Sequence, residues 1–111
     1  MNYNPALLQP GMVVSNEPGL YKAGRYGIRI ENLLLVIPYQ TTDFGEYCAF
    51  ETLTLCPIDT KLIDWSLMSR EEIRWLNDYH QMTCDRLSPF LPEEERAFLA
   101  RLTAPHEDEP W

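Results

Sequence analysis

The sequence predicts an α+β protein in which a small antiparallel sheet is followed by two helices. Up to residue 57, short runs rich in β-branched and aromatic residues alternate with Pro, Gly and Asn turn signals. Beyond residue 57, apolar residues recur at helical spacing in two segments, and acidic residues stand in the first turn of each. With 111 residues and 45% hydrophobic composition, the chain has the size and composition of one ordinary globular domain.

The first half begins with an irregular segment, 1–11, that contains three helix and strand breakers, Pro5, Pro10 and Gly11. The predicted strands that follow span residues 12–14, 27–38 and 47–55. The second of these alternates at first and is then continuously apolar, as expected of a strand buried on both faces. Turns are predicted where Pro and Gly cluster, at 16–19, in the loop 22–27 and at 41–45.

The second half predicts two helices with identifiable ends. Ser69 and Glu72 have the spacing of a capping box, so the first helix is expected over about 70–87, where Ser88-Pro89 stops it. The second helix starts near Pro92 with three acidic residues, 93–95, and ends by Pro105. Residues 106–111 are expected to form a frayed acidic tail.

Charge and composition exclude several classes of function. The net charge is −8, with −2 in residues 1–56 and −6 in residues 57–111, which argues against partners such as nucleic acid or an anionic membrane surface. The longest apolar run, 33–37, is too short to span a membrane, and no signal peptide is visible, so we expect a cytoplasmic protein. The cysteines are expected to be reduced, buried small hydrophobes: Cys48, Cys56 and Cys84.

Two carboxylates are the candidates for chemistry. Glu17 lies in a Pro-Gly turn after a strand, and Glu31 lies in the long predicted strand on the same face as Arg29. In one interpretation Arg29 pairs with Glu31 and Glu17 is a solvated turn residue. In the other, both glutamates are oxygen ligands of a two-metal site. The pattern alone leaves both open.

Several collinear segments resemble one family. Residues 8–21 read LQPGMVVSNEPGLY, residues 26–32 read YGIRIEN, and residues 50–58 read FETLTLCPI. They resemble the end of the catalytic domain of aminopeptidase P, the Xaa-Pro aminopeptidase group of the pita-bread metallopeptidases. Residues 75–80, WLNDYH, and the Glu-rich helix after them resemble the family's C-terminal helical extension.

This resemblance implies a role for four residues. Glu17 and Glu31 would be metal ligands, with Glu31 bridging two ions, and Arg29 and Tyr21 would orient the ligands through hydrogen bonds. It implies two Mn²⁺ per complete site, with Zn²⁺ or Co²⁺ as alternatives. The expected partners are peptide substrates with proline at the second position, together with a second copy of the chain in a homodimer.

The family's site needs three further ligands, two Asp and one His, which would come from upstream of this sequence. The sequence has two histidines, His80 and His106, and neither follows the family's Gly-rich His motif. We expect His80 to be a packed or surface residue of the helical extension. Two carboxylates alone should bind metal weakly, because ligand number and geometry set affinity.

The resemblance divides the chain into 1–57, the end of the catalytic domain, and 58–111, the helical extension. The first hypothesis is that the chain is the C-terminal fragment of a hydrolase, an Xaa-Pro metallo-aminopeptidase, and is inactive alone. The alternative is a non-catalytic interaction or dimerisation module derived from that family. A third hypothesis is a split enzyme, in which another polypeptide brings the missing ligands. No residue of this sequence supports that hypothesis.

Overall fold

Strands come first along the chain and helices follow, which confirms the predicted α+β class. The computed structural model describes residues 4–107. The chain divides into two units, Met1–Thr54 and Leu55–Trp111, called here the strand unit and the helical unit. The strands are β1 (Val13–Asn16), β2 (Gly19–Lys22), β3 (Tyr26–Arg29), β4 (Asn32–Thr42) and β5 (Gly45–Thr52).

The strand unit contains two antiparallel sheets rather than the single sheet predicted. β4 is the central strand of a three-stranded sheet with the order β1-β4-β5, and β2 pairs with β3 in a two-stranded sheet. Pairing of β4 with β5 shifts by one residue between Pro38 and Gln40. Among residues 4–54, Val36 of β4 is the one hydrophobic side chain that is fully buried, with 1% of its surface exposed. The core of this unit is therefore small.

The predicted strand 27–38 is wrong in one respect, since the structure divides it into β3 and β4 at Ile30 and Glu31. Pro18 stands opposite this break. The Ile30 N–H donates to the Pro18 carbonyl oxygen at 3.3 Å, but proline has no N–H to return the bond. The lost donor explains why the ladder is interrupted there.

The sequence predicts turns at Gly19 and Lys22, whereas the structure has strand β2 between them. The turn is shorter than the sequence suggests: the Arg25 N–H donates to the Lys22 carbonyl at 3.0 Å, and Gly24 takes a φ of +67°. The residues on either side of this turn remain extended and pair with each other.

The helical unit is built on α1 (Arg70–Leu87) and α2 (Glu93–Leu102), close to the predicted bounds. The predicted capping box is present: the Ser69 hydroxyl accepts from the Glu72 N–H, and the Glu72 carboxylate accepts from the Ser69 N–H. Three short 3₁₀ helices, which the sequence did not predict, span Thr60–Leu62, Trp65–Leu67 and Ser88–Phe90. The buried side chains of α1 follow helical spacing: Ile73, Leu76, Tyr79, His80 and Thr83.

One side of α1 holds the chain segment that precedes it. The Tyr79 hydroxyl donates to the Cys56 carbonyl at 2.9 Å and accepts from the Cys56 N–H at 3.3 Å. At the next residue of α1, His80 Nε2 accepts from the Ile58 N–H at 3.0 Å. His80 is 1% exposed, so the expectation of a packed histidine is confirmed.

The prediction of a frayed tail is wrong for its first residues. The Asn77 side-chain amide donates to the His106 carbonyl and accepts from the His106 N–H, both at 2.9 Å. The His106 ring stacks on Trp65, with ring centroids 3.8 Å apart and nearly parallel planes. Residues 108–111 lie outside the described part of the chain.

The cysteines do not match the prediction of buried small hydrophobes. Cys48 and Cys56 are exposed, Cys84 is half-buried, and all three are free thiols. Cys48 lies on β5, which is an edge strand of the three-stranded sheet and, among the described residues, pairs with β4 alone. Within residues 4–107, no helix is long and apolar enough to cross a membrane.

Candidate functional site

Glu17 and Glu31 stand directly opposite each other. Glu17 lies between β1 and β2, and Glu31 lies between β3 and β4. The last pair of the β1–β4 ladder is Asn16 with Asn32, and the first pair of the β2–β3 ladder is Gly19 with Arg29. Gly19 comes three residues after Asn16, and Arg29 comes three residues before Asn32. The pairing register is therefore the same on both sides of the break.

The hydrogen-bonding pattern shows which kind of pair the two glutamates form. Bonds are made at Met12 with Val36 and at Pro18 with Ile30, positions an even number of residues apart. Bonded and non-bonded pairs alternate in antiparallel ladders. The Glu17–Glu31 pair therefore occupies a non-bonded position, where opposing Cα atoms are closest, about 4.5 Å apart.

All four residues singled out from the sequence share one face of this ladder. Side chains alternate between faces along a strand, so Glu17 and Tyr21 lie on the same face, as do Arg29 and Glu31. Directly opposite positions also share a face, which joins the two groups. Glycine stands opposite each of the two larger side chains: Gly27 opposite Tyr21, and Gly19 opposite Arg29.

Arg29 makes an ion pair with Glu31, from Nε to Oε2 at 3.5 Å. The side chains are 51% and 37% exposed, so the pair is worth roughly 0–1 kcal/mol in stability. The ion pair engages Oε2 of Glu31. The other oxygen of the carboxylate, Oε1, is a second acceptor atom. The ion pair that the sequence suggested is thus present, and it is compatible with a ligand role for Glu31.

The ring of Tyr21 lies over the two glycines. A Cβ placed on Gly27 would lie 2.6 Å from Tyr21 Cδ1, and one placed on Gly19 would lie 2.6 Å from Tyr21 Oη. The phenol therefore leans along β2 towards Glu17. Sequence reasoning missed these two glycines; the alternation Glu-x-Gly-x-Tyr on one strand is the signal that could have found them, once β2 was recognised as a strand.

The donor chemistry fits part of a metal site. Two carboxylates at facing positions offer the oxygen ligands that Mg²⁺, Ca²⁺ and Mn²⁺ prefer. Within residues 4–107, however, no group of three or more His, Cys, Asp or Glu side chains is placed to hold a metal ion. Glu17 and Glu31 can therefore supply two ligands, and a tightly bound metal ion needs others.

The histidines of the helical unit are engaged in other contacts. His80 Nε2 accepts a backbone hydrogen bond, and burial lowers the pKa of His80 below its ordinary value of 6.5. His106 is stacked on Trp65. Both observations agree with structural roles for these two side chains.

Family comparisons cover nearly all of the chain. Residues 46–106 match the model of the C-terminal region of peptidase M24, and residues 1–38 match metallopeptidase family M24. A probable Xaa-Pro aminopeptidase P from Coprinopsis cinerea is 50% identical over 109 residues, covering 93% of this chain and 17% of that protein. Aminopeptidase P1 from Arabidopsis thaliana is 45% identical over 101 residues, covering 88% and 16%.

A solved structure agrees with these matches. The X-prolyl aminopeptidase from Caenorhabditis elegans, described as a cytosolic enzyme with a di-nuclear active site, has a TM-score of 0.77 and 34% identity to this chain. The match covers 89% of this chain and 17% of that one. The chain thus spans about one sixth of the length of the relatives it matches. By these matches to its sequence and its fold, the chain belongs to metallopeptidase family M24, and it corresponds to the C-terminal part of the aminopeptidase P group.

Proposed function

We propose that this chain supplies two metal ligands, Glu17 and Glu31, to the dinuclear site of an Xaa-Pro aminopeptidase. The observation that carries the proposal is their position between two ladders of the same register, which places them directly opposite each other at a non-bonded position. Like charges at such positions repel, and a cation between them would remove that repulsion. In this proposal residues 1–57 form the end of the catalytic domain, and residues 58–111 form its helical extension.

Two neighbouring side chains would hold the ligands in place. Arg29 binds one oxygen of Glu31, Oε2, through its guanidinium Nε. Tyr21 places its hydroxyl above Gly19, on the face that carries both glutamates. Groups that orient metal ligands in this way commonly affect affinity and activity by about 10–100-fold.

The complete enzyme would cleave the bond between an N-terminal residue and a following proline. Two divalent cations, when bound, supply Lewis-acid polarisation of the scissile carbonyl. We propose Mn²⁺ as the metal, because an all-carboxylate contribution from this chain suits a hard cation. Zn²⁺ and Co²⁺ are the alternatives that metal analysis would distinguish. We also propose a cytoplasmic location, in keeping with the description of the nematode relative as cytosolic.

A chimera tests the ligand roles. The segment of the nematode enzyme that matches this chain would be replaced by the 111-residue sequence, and hydrolysis of an Xaa-Pro peptide and metal content would be measured. We expect an active chimera in which Glu17→Gln and Glu31→Gln each lower kcat/KM by at least about a hundredfold and reduce the bound metal.

The matched control is Glu46→Gln, because Glu46 is an exposed strand glutamate that faces Thr41 rather than a carboxylate. It should leave both activity and metal content unchanged. A chimera that retained its activity and its metal with Glu31→Gln would contradict the proposal, and so would hydrolysis by the isolated chain.

The helical unit suggests a second role, association with a second copy of the chain. Three large apolar side chains at its short 3₁₀ helices are more than four-fifths exposed: Leu62, Leu67 and Phe90. Exposed apolar side chains in number are typical of contact surfaces. Sedimentation equilibrium should show a dimer that Phe90→Glu weakens, with Phe44→Glu in the strand unit as control. A chain that remains monomeric at all concentrations would contradict this role.

A further inference from the structure

The glycines beneath Tyr21 have a specific geometry. Gly27 stands directly opposite Tyr21 in the ladder, and Gly19 precedes Tyr21 by two residues on the same face. Neither glycine has a positive φ, in contrast to Gly11, Gly24 and Gly45. Backbone conformation therefore does not require glycine at 19 or 27, and the reason for its presence is space.

That space is occupied by one aromatic ring. A Cβ on Gly27 would lie 2.6, 3.1 and 3.6 Å from Tyr21 Cδ1, Cε1 and Cγ, so it would meet the edge of the ring. A Cβ on Gly19 would lie 2.6 and 2.8 Å from Tyr21 Oη and Cζ. The ring thus lies across both strands. Its hydroxyl is displaced from the Tyr21 position towards Glu17 by about two residues of β2, roughly 6–7 Å.

We propose that Gly27 is a positioning residue of the metal site: its missing side chain lets the Tyr21 ring lie across the ladder and hold its hydroxyl beside the Glu17–Glu31 pair. With any side chain at 27, the ring would have to rotate away, because Cβ contacts below about 3 Å do not occur. The effect on catalysis rests on the proposed function, whereas the effect on the ring does not.

Gly27 is a cleaner site for a test than Gly19. At Gly19 an added Cβ would also lie 2.9 Å from the Ile28 carbonyl oxygen, so that alanine there would disturb the backbone as well as the ring. At Gly27 the three nearest atoms all belong to Tyr21. Alanine at 27 therefore meets the Tyr21 side chain first, without the close backbone contact that alanine at 19 would make.

The first experiment uses the chimera described above and a double-mutant cycle. Gly27→Ala and Tyr21→Phe should each lower kcat by about 10–100-fold, since both remove the hydroxyl from its place. The kcat of the double variant should lie within about twofold of the kcat of the single variants, because either change alone already removes the hydroxyl from its place. Tyr26→Phe is the control, since Tyr26 is equally exposed but lies on the other face of β3.

The second experiment uses the 111-residue chain and needs no activity. Nuclear Overhauser effects should connect the Gly27 α protons with the Tyr21 ring protons and disappear in Gly27→Ala. Gly27→Ala should lower the melting temperature in the presence of Tyr21 and have no effect in a Tyr21→Ala background. A purely local backbone defect would lower it equally in both.

The outcomes separate the two proposals. If the unmutated chimera is inactive, the proposed function fails, and the ring contact is still decided by the second experiment. If the chimera is active but Gly27→Ala is as active as its parent, or if the losses in the double variant multiply, the positioning role of Gly27 is overturned. Absence of the ring contacts in the isolated chain would overturn it as well.

Discussion

Replacing Glu17 by glutamine should stabilise the metal-free chain. The change keeps the size and shape of the side chain and removes one of two like charges that face each other at a non-bonded ladder position. Like charges at directly opposite positions destabilise a sheet. The expected gain in the free energy of unfolding follows from their separation and from their exposure to solvent.

Opposing side chains have Cβ atoms about 4.5–5.5 Å apart. Two unit charges about 5 Å apart repel with about 0.8 kcal/mol in water, which is the relevant medium because both glutamates are exposed. This is an upper bound, because the positive charge of Arg29, which is paired with Glu31, offsets part of the repulsion. Screening at 0.15 M salt, where the Debye length is about 8 Å, reduces this to about 0.4 kcal/mol. At 1 M salt the length is about 3 Å and less than about 0.2 kcal/mol remains.

The assay is chemical and thermal unfolding of the chain and its Glu17→Gln variant in chelator, at low, intermediate and high salt. At low salt the variant should be more stable by about 0.5–1 kcal/mol, equivalent to a rise of a few degrees in melting temperature. Glu46→Gln, which removes a charge opposite Thr41, serves as control and should have little effect.

Two results would refute this reasoning. A Glu17→Gln variant that is less stable than the parent at low salt would show that the carboxylate makes a favourable contact, and that the two glutamates do not confront each other. A gain that is the same at 1 M salt as at low salt would show that its origin is not electrostatic.

Three further predictions concern the helical unit. Within residues 4–107, Thr83 Oγ1 is buried without a hydrogen-bond partner, so Thr83→Val should raise the free energy of unfolding by about 1 kcal/mol. Thr103→Val should lower it by a similar amount, because Thr103 Oγ1 donates to the Leu99 carbonyl at 2.8 Å. Burial lowers the pKa of His80, so the unfolded chain binds more protons than the folded chain below about pH 6.5. The free energy of unfolding should therefore keep its full His80 contribution above about pH 6.5 and fall as the pH drops below that value. In His80→Asn the fall with pH should be shallower. Ser69→Ala should lower the melting temperature by removing about 1 kcal/mol of capping energy, and an unchanged unfolding curve would contradict it.

The helices could be predicted because their signals are local. Ser69 and Glu72 specify the start of α1 within four residues of sequence, and Ser88-Pro89 specifies its end. The attachments of α1 could not be predicted in this way. Asn77 binds the backbone of His106, 29 residues away, and such a contact depends on the path of the chain between them rather than on any local pattern.

The sequence singles out the candidate site residues but does not predict how they are arranged. Glu17 and Glu31 were singled out as a pair, yet their placement opposite each other depends on the length of the turn at Lys22–Arg25. The sequence predicts a longer loop, over 22–27, and does not predict β2. Register is set by turn geometry, so an error of a few residues there hides which side chains share a face.

The tight turn at Ala23, Gly24 and Arg25 also has a practical consequence. A residue inserted between Glu17 and Tyr21 would move Tyr21 to the opposite face from Glu17, because the alternation of faces counts every residue of a strand. Residues added within the turn leave the count along each strand unchanged, and the register is preserved as long as Lys22 still pairs with Tyr26. The hairpin tip is therefore the position at which a fluorescent reporter or an affinity label could be inserted, so that metal loading could be followed on a chain whose carboxylates, arginine and tyrosine still face the same way.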